Sequence, residues 1–96
     1  MVKINFVRPY KDNIINQSVV LRKFDQDIDP KELMWHRDKE DRIIEPIEST
    51  DWKFQIDNKL PITIDNKIFI PKHVWHRAIK GTGSLTLKIT KFDKPA

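Results

Sequence analysis

Residues 68–81 read IFIPKHVWHRAIKG, and the parsing of this stretch decides the fold. Pro71 has no N–H to give to a sheet ladder, so it ends the strand that enters it. "KHV" (72–74) makes a turn. Beyond it the residues alternate, with Val74, His76 and Ala78 on one face and Trp75 on the other. A strand, a turn and a second strand follow, and the second strand carries a histidine on its apolar face. An imidazole placed so is either a core histidine hydrogen-bonded to a neighbour or a ligand facing a cavity.

The same texture runs outward along the chain. SVVLRKF (18–24), WKFQI (52–56), KIFI (67–70), VWHRAI (74–79) and SLTLKIT (84–90) are short and rich in β-branched and aromatic residues, and each reads as a strand. Between them fall turn-forming clusters: DIDP (27–30), IESTD (47–51), DNKLP (57–61), IDNK (64–67) and KGTG (80–83). Trp52, Phe54 and Ile56 share one face opposite Lys53, Gln55 and Asp57. Leu85, Leu87 and Ile89 oppose Thr86, Lys88 and Thr90. This period of two is that of half-buried strands. Helical periodicity is not sustained anywhere; DPKELM (29–34) can make one turn, with Asp29 as N-cap and Pro30 in first position. Many short strands with frequent turns predict an all-β sandwich or barrel. No repeat or linker divides residues 1–96, so one domain is expected. The first 15 or so residues and the tail FDKPA (92–96) are the least defined parts of this reading.

The totals exclude several classes of function. The chain has 96 residues and no cysteine, which removes disulfide scaffolds, thiolate metal sites and thiol catalysis. No apolar run approaches the roughly 20 residues that span a bilayer, and no signal-like segment opens the chain, so a cytoplasmic protein without membrane contact is expected. The formal charge is +4, but Lys and Arg are interspersed with Asp and Glu rather than clustered. A mixed-charge solvated surface is therefore expected rather than a nucleic-acid stripe.

The second histidine-bearing stretch is MWHRDKEDR (34–42). If 35–43 is a strand, His36, Asp38, Glu40 and Arg42 project to one face. A polar row of this kind inside a barrel must be paired or hydrated, and two acids with a cation can satisfy one another.

Together the two stretches resemble the motifs of the cupin superfamily. In its first motif a strand carries H-x-H followed by a glutamate; WHRDKEDR is similar, with His36 at the leading histidine and Asp38 in place of the second. The second motif is P-x-G-x-x-H; here Pro71 and His76 match, and His73 stands where glycine is usual. NKIFIP (66–71) resembles the strand that enters that turn. The resemblance covers about residues 33–90, with the motifs at about 34–48 and 66–80. It implies a small double-stranded β-helix, a jelly-roll barrel open at one end. Metal-binding members of the superfamily gather their motif residues at that mouth around Fe, Mn, Ni, Zn or a similar ion. Carried over, His36, Asp38 and His76 would supply two imidazoles and one carboxylate, a facial ligand set with open positions.

Two departures bear on this expectation. The superfamily glutamate falls at about Arg42 or Ile43, with Glu40 and Asp41 just short of it, and the usual motif glycines are missing. A metal-free ionic network, or a pocket in which Arg42 grips a ligand carboxylate, is the competing reading. Glu40, Arg42, Trp52 and Phe54 are accordingly candidate ligand-binding residues, although an aromatic strand face such as that of Trp52 and Phe54 is commonly plain core. No residue is assigned a catalytic role. The expected partner is a small polar molecule. The enzyme classes compatible with such a barrel are isomerase, lyase and dioxygenase; a ligand sensor, or a non-catalytic module binding protein or nucleic acid, stands as the alternative. Oxygenases that use 2-oxoglutarate need an arginine beyond the second histidine, and LTLKITK (85–91) has none. The chain has no phosphate-cradling glycine loop and no G-x-S-x-G elbow. A short barrel with open edge strands is expected to form a homodimer.

Overall fold

Strand β8 (Leu85–Phe92) is the spine of the molecule. It pairs on one side with β2 (Val19–Phe24) and on the other with β3 (Asp41–Pro46), both antiparallel. The computed structural model of the protein describes residues 9–92. Two outer strands, β1 (Lys11–Ile14) and β6 (Ile68–Ile70), complete a five-stranded sheet in the order β1-β2-β8-β3-β6. A second sheet of three strands, β5-β4-β7, consists of Ile62–Thr63, Lys53–Ile56 and His76–Ile79. Every pairing is antiparallel.

The all-β reading of the sequence holds. Each of the five expected strands forms, and DPKELM yields a single 3-10 turn over Pro30–Glu32, with the Asp29 side chain accepting from the Lys31 amide as expected of an N-cap. One expectation is corrected. Residues 35–43 do not form one strand: β3 begins at Asp41, Lys39 and Glu40 form a bend, and His36 makes only an isolated bridge to His76. The dense charge of this segment explains the break, because an unbroken strand would align four polar side chains along the interior. Of the poorly defined ends, Lys11–Ile14 pairs with β2; residues 1–8 and 93–96 lie outside the described residues.

The inward faces of the two sheets close on one core. Register places Phe24 against Leu85, Val20 against Ile89 and Ile44 against Ile89 and Ile68, so apolar side chains form continuous rows across the large sheet. From the small sheet Phe54 meets this core, with Trp52 just ahead of β4; Trp52 is 0% exposed and its indole Nε1 donates to the Gly83 carbonyl at 3.1 Å. Each large side chain so buried contributes about 1.5–3 kcal/mol. Along β2 the inward row runs Val20, Arg22, Phe24, which places one charge in an otherwise apolar register.

The loop 80–83 is clamped against residues 50–52. The Thr82 amide and hydroxyl both donate to the Asp51 carboxylate at 2.8 Å. A Cβ on Gly81 would meet the Asp51 carboxylate and stand 2.7 Å from the Trp52 amide nitrogen, a backbone atom that cannot give way cheaply. Gly81→Ala is therefore expected to destabilise the fold by about 1–3 kcal/mol, read as a lowered denaturant midpoint with an unchanged m-value. The hydroxyl and then the amide of Thr82 hold the Asp51 carboxyl below its usual range. An acid with a depressed folded pKa stabilises the fold above its unfolded pKa of about 4, and that contribution is lost as pH falls through the folded value. Thr82→Ala should move the Asp51 carboxyl titration, followed by NMR, back toward the ordinary range and flatten this acid-sensitive portion of stability.

Candidate metal centre at the mouth of the barrel

His36 and His76 are brought together by backbone, not by chance of side-chain reach. The His36 amide donates to the His76 carbonyl at 3.0 Å, and the His76 amide donates to the His36 carbonyl at 2.9 Å. This antiparallel bridge sets the rings edge to face with centroids 4.2 Å apart. His76 is 3% exposed and stacks on Phe54 at 5.5 Å. On the other side of the bridge the same register stacks Arg77 over the Trp35 ring at 4.7 Å and Arg37 over the Trp75 ring at 5.1 Å. Both indoles are partly open to solvent.

Asp38 is delivered by a different device. The His73 amide donates to the Asp38 carbonyl at 2.8 Å, and the neighbouring Lys72 amide donates to the Asp41 carboxylate at 2.8 Å. The 71–74 turn thus grips both ends of the 38–41 segment. His73 sits at φ +65°, the left-handed region that glycine adopts without cost. His73 therefore holds a backbone conformation that favours glycine. His73→Gly should relieve that strain and raise stability by about 0.5–1 kcal/mol after the extra chain entropy of glycine is subtracted; a calorimetric melting point checks it.

His36, Asp38 and His76 each place one donor atom within 4.8 Å of the others. The hydrogen bonds around them assign their protons. His76 Nδ1 lies 2.8 Å from the Val74 carbonyl and His36 Nδ1 lies 3.2 Å from the Met34 carbonyl. A carbonyl only accepts, so Nδ1 carries the hydrogen in both rings and Nε2 carries the lone pair of the neutral imidazole. His76 Nε2 nevertheless stands 3.2 Å from Asp38 Oδ2, and that buried carboxylate oxygen has no hydrogen-bond partner. Two acceptors facing each other need either a proton, making an imidazolium, or a cation between them. Each Nδ1–H held by a carbonyl is also the outer hydrogen bond that fixes a metal-ligating histidine. The residues present fit a divalent metal.

The electrostatics agree. His36 is open to solvent at one side, but desolvation of its ring by the packed neighbours, then the adjacent His76, hold it below the usual imidazole range, which favours the neutral, ligating form. Burial pushes the Asp38 carboxyl up, but the close approach of the His76 ring and the charge of Arg42 outweigh it, so Asp38 stays below its usual range. Arg42 points inward from β3 opposite Ile70. Its Nε and Nη2 donate to Glu40 Oε1 at 2.9 and 2.7 Å, and Nη2 lies 3.2 Å from Asp38 Oδ1. The guanidinium therefore sits on the far carboxylate oxygen of Asp38, beside the three-residue cluster rather than within it. Glu40 turns to Arg42.

Beyond this cluster lies a cavity of about 420 Å3, to which Tyr10, Arg22, Phe24, Leu33, Arg42 and Ala78 contribute walls. Phe54 lines a smaller inner recess of about 40 Å3. Trp52, a candidate for the pocket wall, is instead sealed in the core beneath Gly83, where its ring fills space and its Nε1 is already paired. The sequence reading missed Arg22. It is held bidentately by Asp12, with Nε and Nη2 at 2.8 and 3.0 Å from the two carboxylate oxygens, and stacks on the Tyr10 ring at 3.7 Å. The signal was a charge at an inward position of the alternating SVVLRKF.

No family model matches the chain, and no curated protein matches it. Solved structures do. KdgF from Halomonas sp. matches at a TM-score of 0.66 and 14% identity, over 95% of this chain and 87% of that one. HppE with Co(II), in complex with Tris buffer, matches at 0.67 and 19%, over 94% of this chain but only 57% of that one. Protein NMB1881 from Neisseria meningitidis matches at 0.56 and 16%, over 94% and 89%. KdgF and HppE are cupin-fold proteins. The chain has a cupin fold. At these identities the likeness reaches the fold alone; in this barrel His36, Asp38 and His76 meet beside the open cavity.

Proposed function

We propose that the cupin barrel binds one divalent transition metal through His36, Asp38 and His76 and presents its open positions to a small polar molecule in the adjoining cavity. The observation that carries this reading is the unpartnered Asp38 Oδ2 facing His76 Nε2. Two imidazoles and one carboxylate are the donor set of facial sites that hold Fe(II), and they also accept Mn, Ni or Zn. HppE is described with Fe(II) and a bound substrate, which supports a metal-dependent role for a cupin barrel of this shape. Bound there, the metal would act as a Lewis acid on the ligand. The chain's own residues fix the two Nε2 lone pairs and exclude water from the His76 side through Phe54 and the core. Isomerase, lyase and dioxygenase chemistry all fit an open facial site.

The test is metal content. Tag-free protein dialysed against Fe(II), Mn(II), Co(II), Ni(II) and Zn(II) separately should retain one equivalent of at least one of them. The Co(II) form should show d–d absorption, and the His36→Ala/His76→Ala double variant should retain none. Equal, negligible metal in both proteins with the fold intact overturns the reading. A second reading, in which the same residues form a metal-free ionic network, is favoured by the ion pair of Arg42 with Asp38. On that reading the barrel is a non-catalytic protein- or nucleic-acid-binding module, and salt-sensitive retention on heparin replaces metal uptake. The reading also includes a homodimer, supported by the exposed Ile14 and Ile15 at the open edge of β1; light scattering at twice the chain mass tests it. No helix of the described residues is long and apolar enough to cross a membrane.

A further inference from the structure

We infer that the cavity beside the His36–Asp38–His76 cluster takes a small organic anion, its carboxylate or phosphate group held by the free edges of Arg22 and Arg42. The inference rests on the mouth being the ligand site, as proposed above, but not on the metal.

A guanidinium has five N–H donors. Arg22 gives two of them, from Nε and Nη2, to Asp12, and Arg42 gives its Nε and Nη2 to Glu40. Neither Nη1 makes a hydrogen bond among the described residues. Both side chains are largely withdrawn from water, 11% and 13% exposed. Both line the mouth cavity, and both also line the inner recess of about 40 Å3 together with Phe54, Ile70, Leu87 and Ile89. The outer nitrogens are not sealed from water, and an anion entering the recess can replace that water with charge-assisted hydrogen bonds of the kind guanidinium makes to carboxylate and phosphate.

The Arg37 guanidinium is turned away over Trp75, and Arg22 and Arg42 are the arginines whose guanidiniums meet the cavity wall. The acids that anchor the guanidiniums do so from behind: Asp12 holds Arg22 across the β1–β2 pair, and Glu40 holds Arg42 from the bend before β3. Each arginine is thereby fixed in direction while its outer nitrogen stays free. Tyr10, Phe24, Leu33 and Ala78 form an apolar wall, so the anion should carry a hydrophobic body.

The probes are benzoate, phenyl phosphate and the neutral isostere benzamide, each titrated into 15N-labelled protein, once with EDTA and once with Zn(II). At least one anion should bind saturably in EDTA and shift the amides around residues 22, 36, 42 and 78. Benzamide should bind at least tenfold more weakly, and the tighter anion names the headgroup. Arg22→Gln and Arg42→Gln should each weaken the anion tenfold or more. If either fails to fold, Arg22→Lys and Arg42→Lys keep the ion pair with Asp12 or Glu40 but lose the fork, and they should show the same loss. Equal binding of benzamide and benzoate, or no saturable shift by either anion in either buffer, overturns the inference. Failure of the metal reading would instead leave the EDTA isotherm intact while Zn(II) uptake disappears.

Discussion

Trp52→Ala should remove about 3–5 kcal/mol of folding stability, the largest loss expected of any single substitution in this protein. The indole is 0% exposed and packs on Phe24 with ring centroids 5.8 Å apart. Its Nε1 donates to the Gly83 carbonyl, so truncation removes packing and this hydrogen bond together. A domain of this size has about 5–15 kcal/mol in total, and the variant should be at least partly unfolded near 37 °C. Trp52→Phe separates the two contributions, since it keeps most of the volume and loses only the hydrogen bond, worth about 1 kcal/mol. Urea unfolding followed by circular dichroism measures both. An alanine variant with a near-native midpoint would show that this part of the core can collapse around the missing ring.

Asp38→Asn should move stability and metal affinity in opposite directions. In the metal-free protein the carboxamide can donate to the His76 Nε2 lone pair, now 3.2 Å from an acceptor that has nothing to offer it. That new hydrogen bond is worth about 1 kcal/mol. Weakening the Asp38–Arg42 ion pair costs little, because Glu40 keeps the guanidinium paired. The apo variant should thus be as stable as the parent or more so, by up to about 1 kcal/mol. Metal affinity should fall by about 100-fold or more, since the carboxylate is the sole anion of the donor set and even changes to the groups that merely support a ligand cost 10–100-fold. Calorimetric Zn(II) titration and thermal melts with chelator present read the two effects. A variant that loses stability yet keeps its metal affinity would mean that Asp38 serves the fold and not a cation.

The fold was legible because its strands alternate: Leu85, Leu87 and Ile89, and likewise Trp52 and Phe54, all lie inward as their spacing requires. The site was legible in membership but not in construction. His36, Asp38 and His76 do converge, and so does Arg42, yet not along one strand. Period-two reasoning assumes uniform backbone, and the segment 37–40 is bent and tied to the 71–74 turn by hydrogen bonds between residues over 30 positions apart. Local pattern carries no information about such ties. Arg22 shows the converse: its inward position could be read from Val20 and Phe24, but its partner Asp12 lies in a segment without strand signal. The resemblance put His73 where a glycine is usual, and the backbone shows a left-handed conformation at that residue.

The bridge between residues 36 and 76 has an optical consequence. Its two faces are one residue apart, with the imidazoles on one and the indoles of Trp35 and Trp75, each lying under a guanidinium, on the other. The remaining indole, Trp52, is sealed from solvent in the core. Intrinsic emission should therefore contain a red-shifted component from the solvent-open Trp35 and Trp75 and a blue-shifted one from Trp52. A change in the first alone would mark filling of the mouth, and loss of the second would mark unfolding of the barrel.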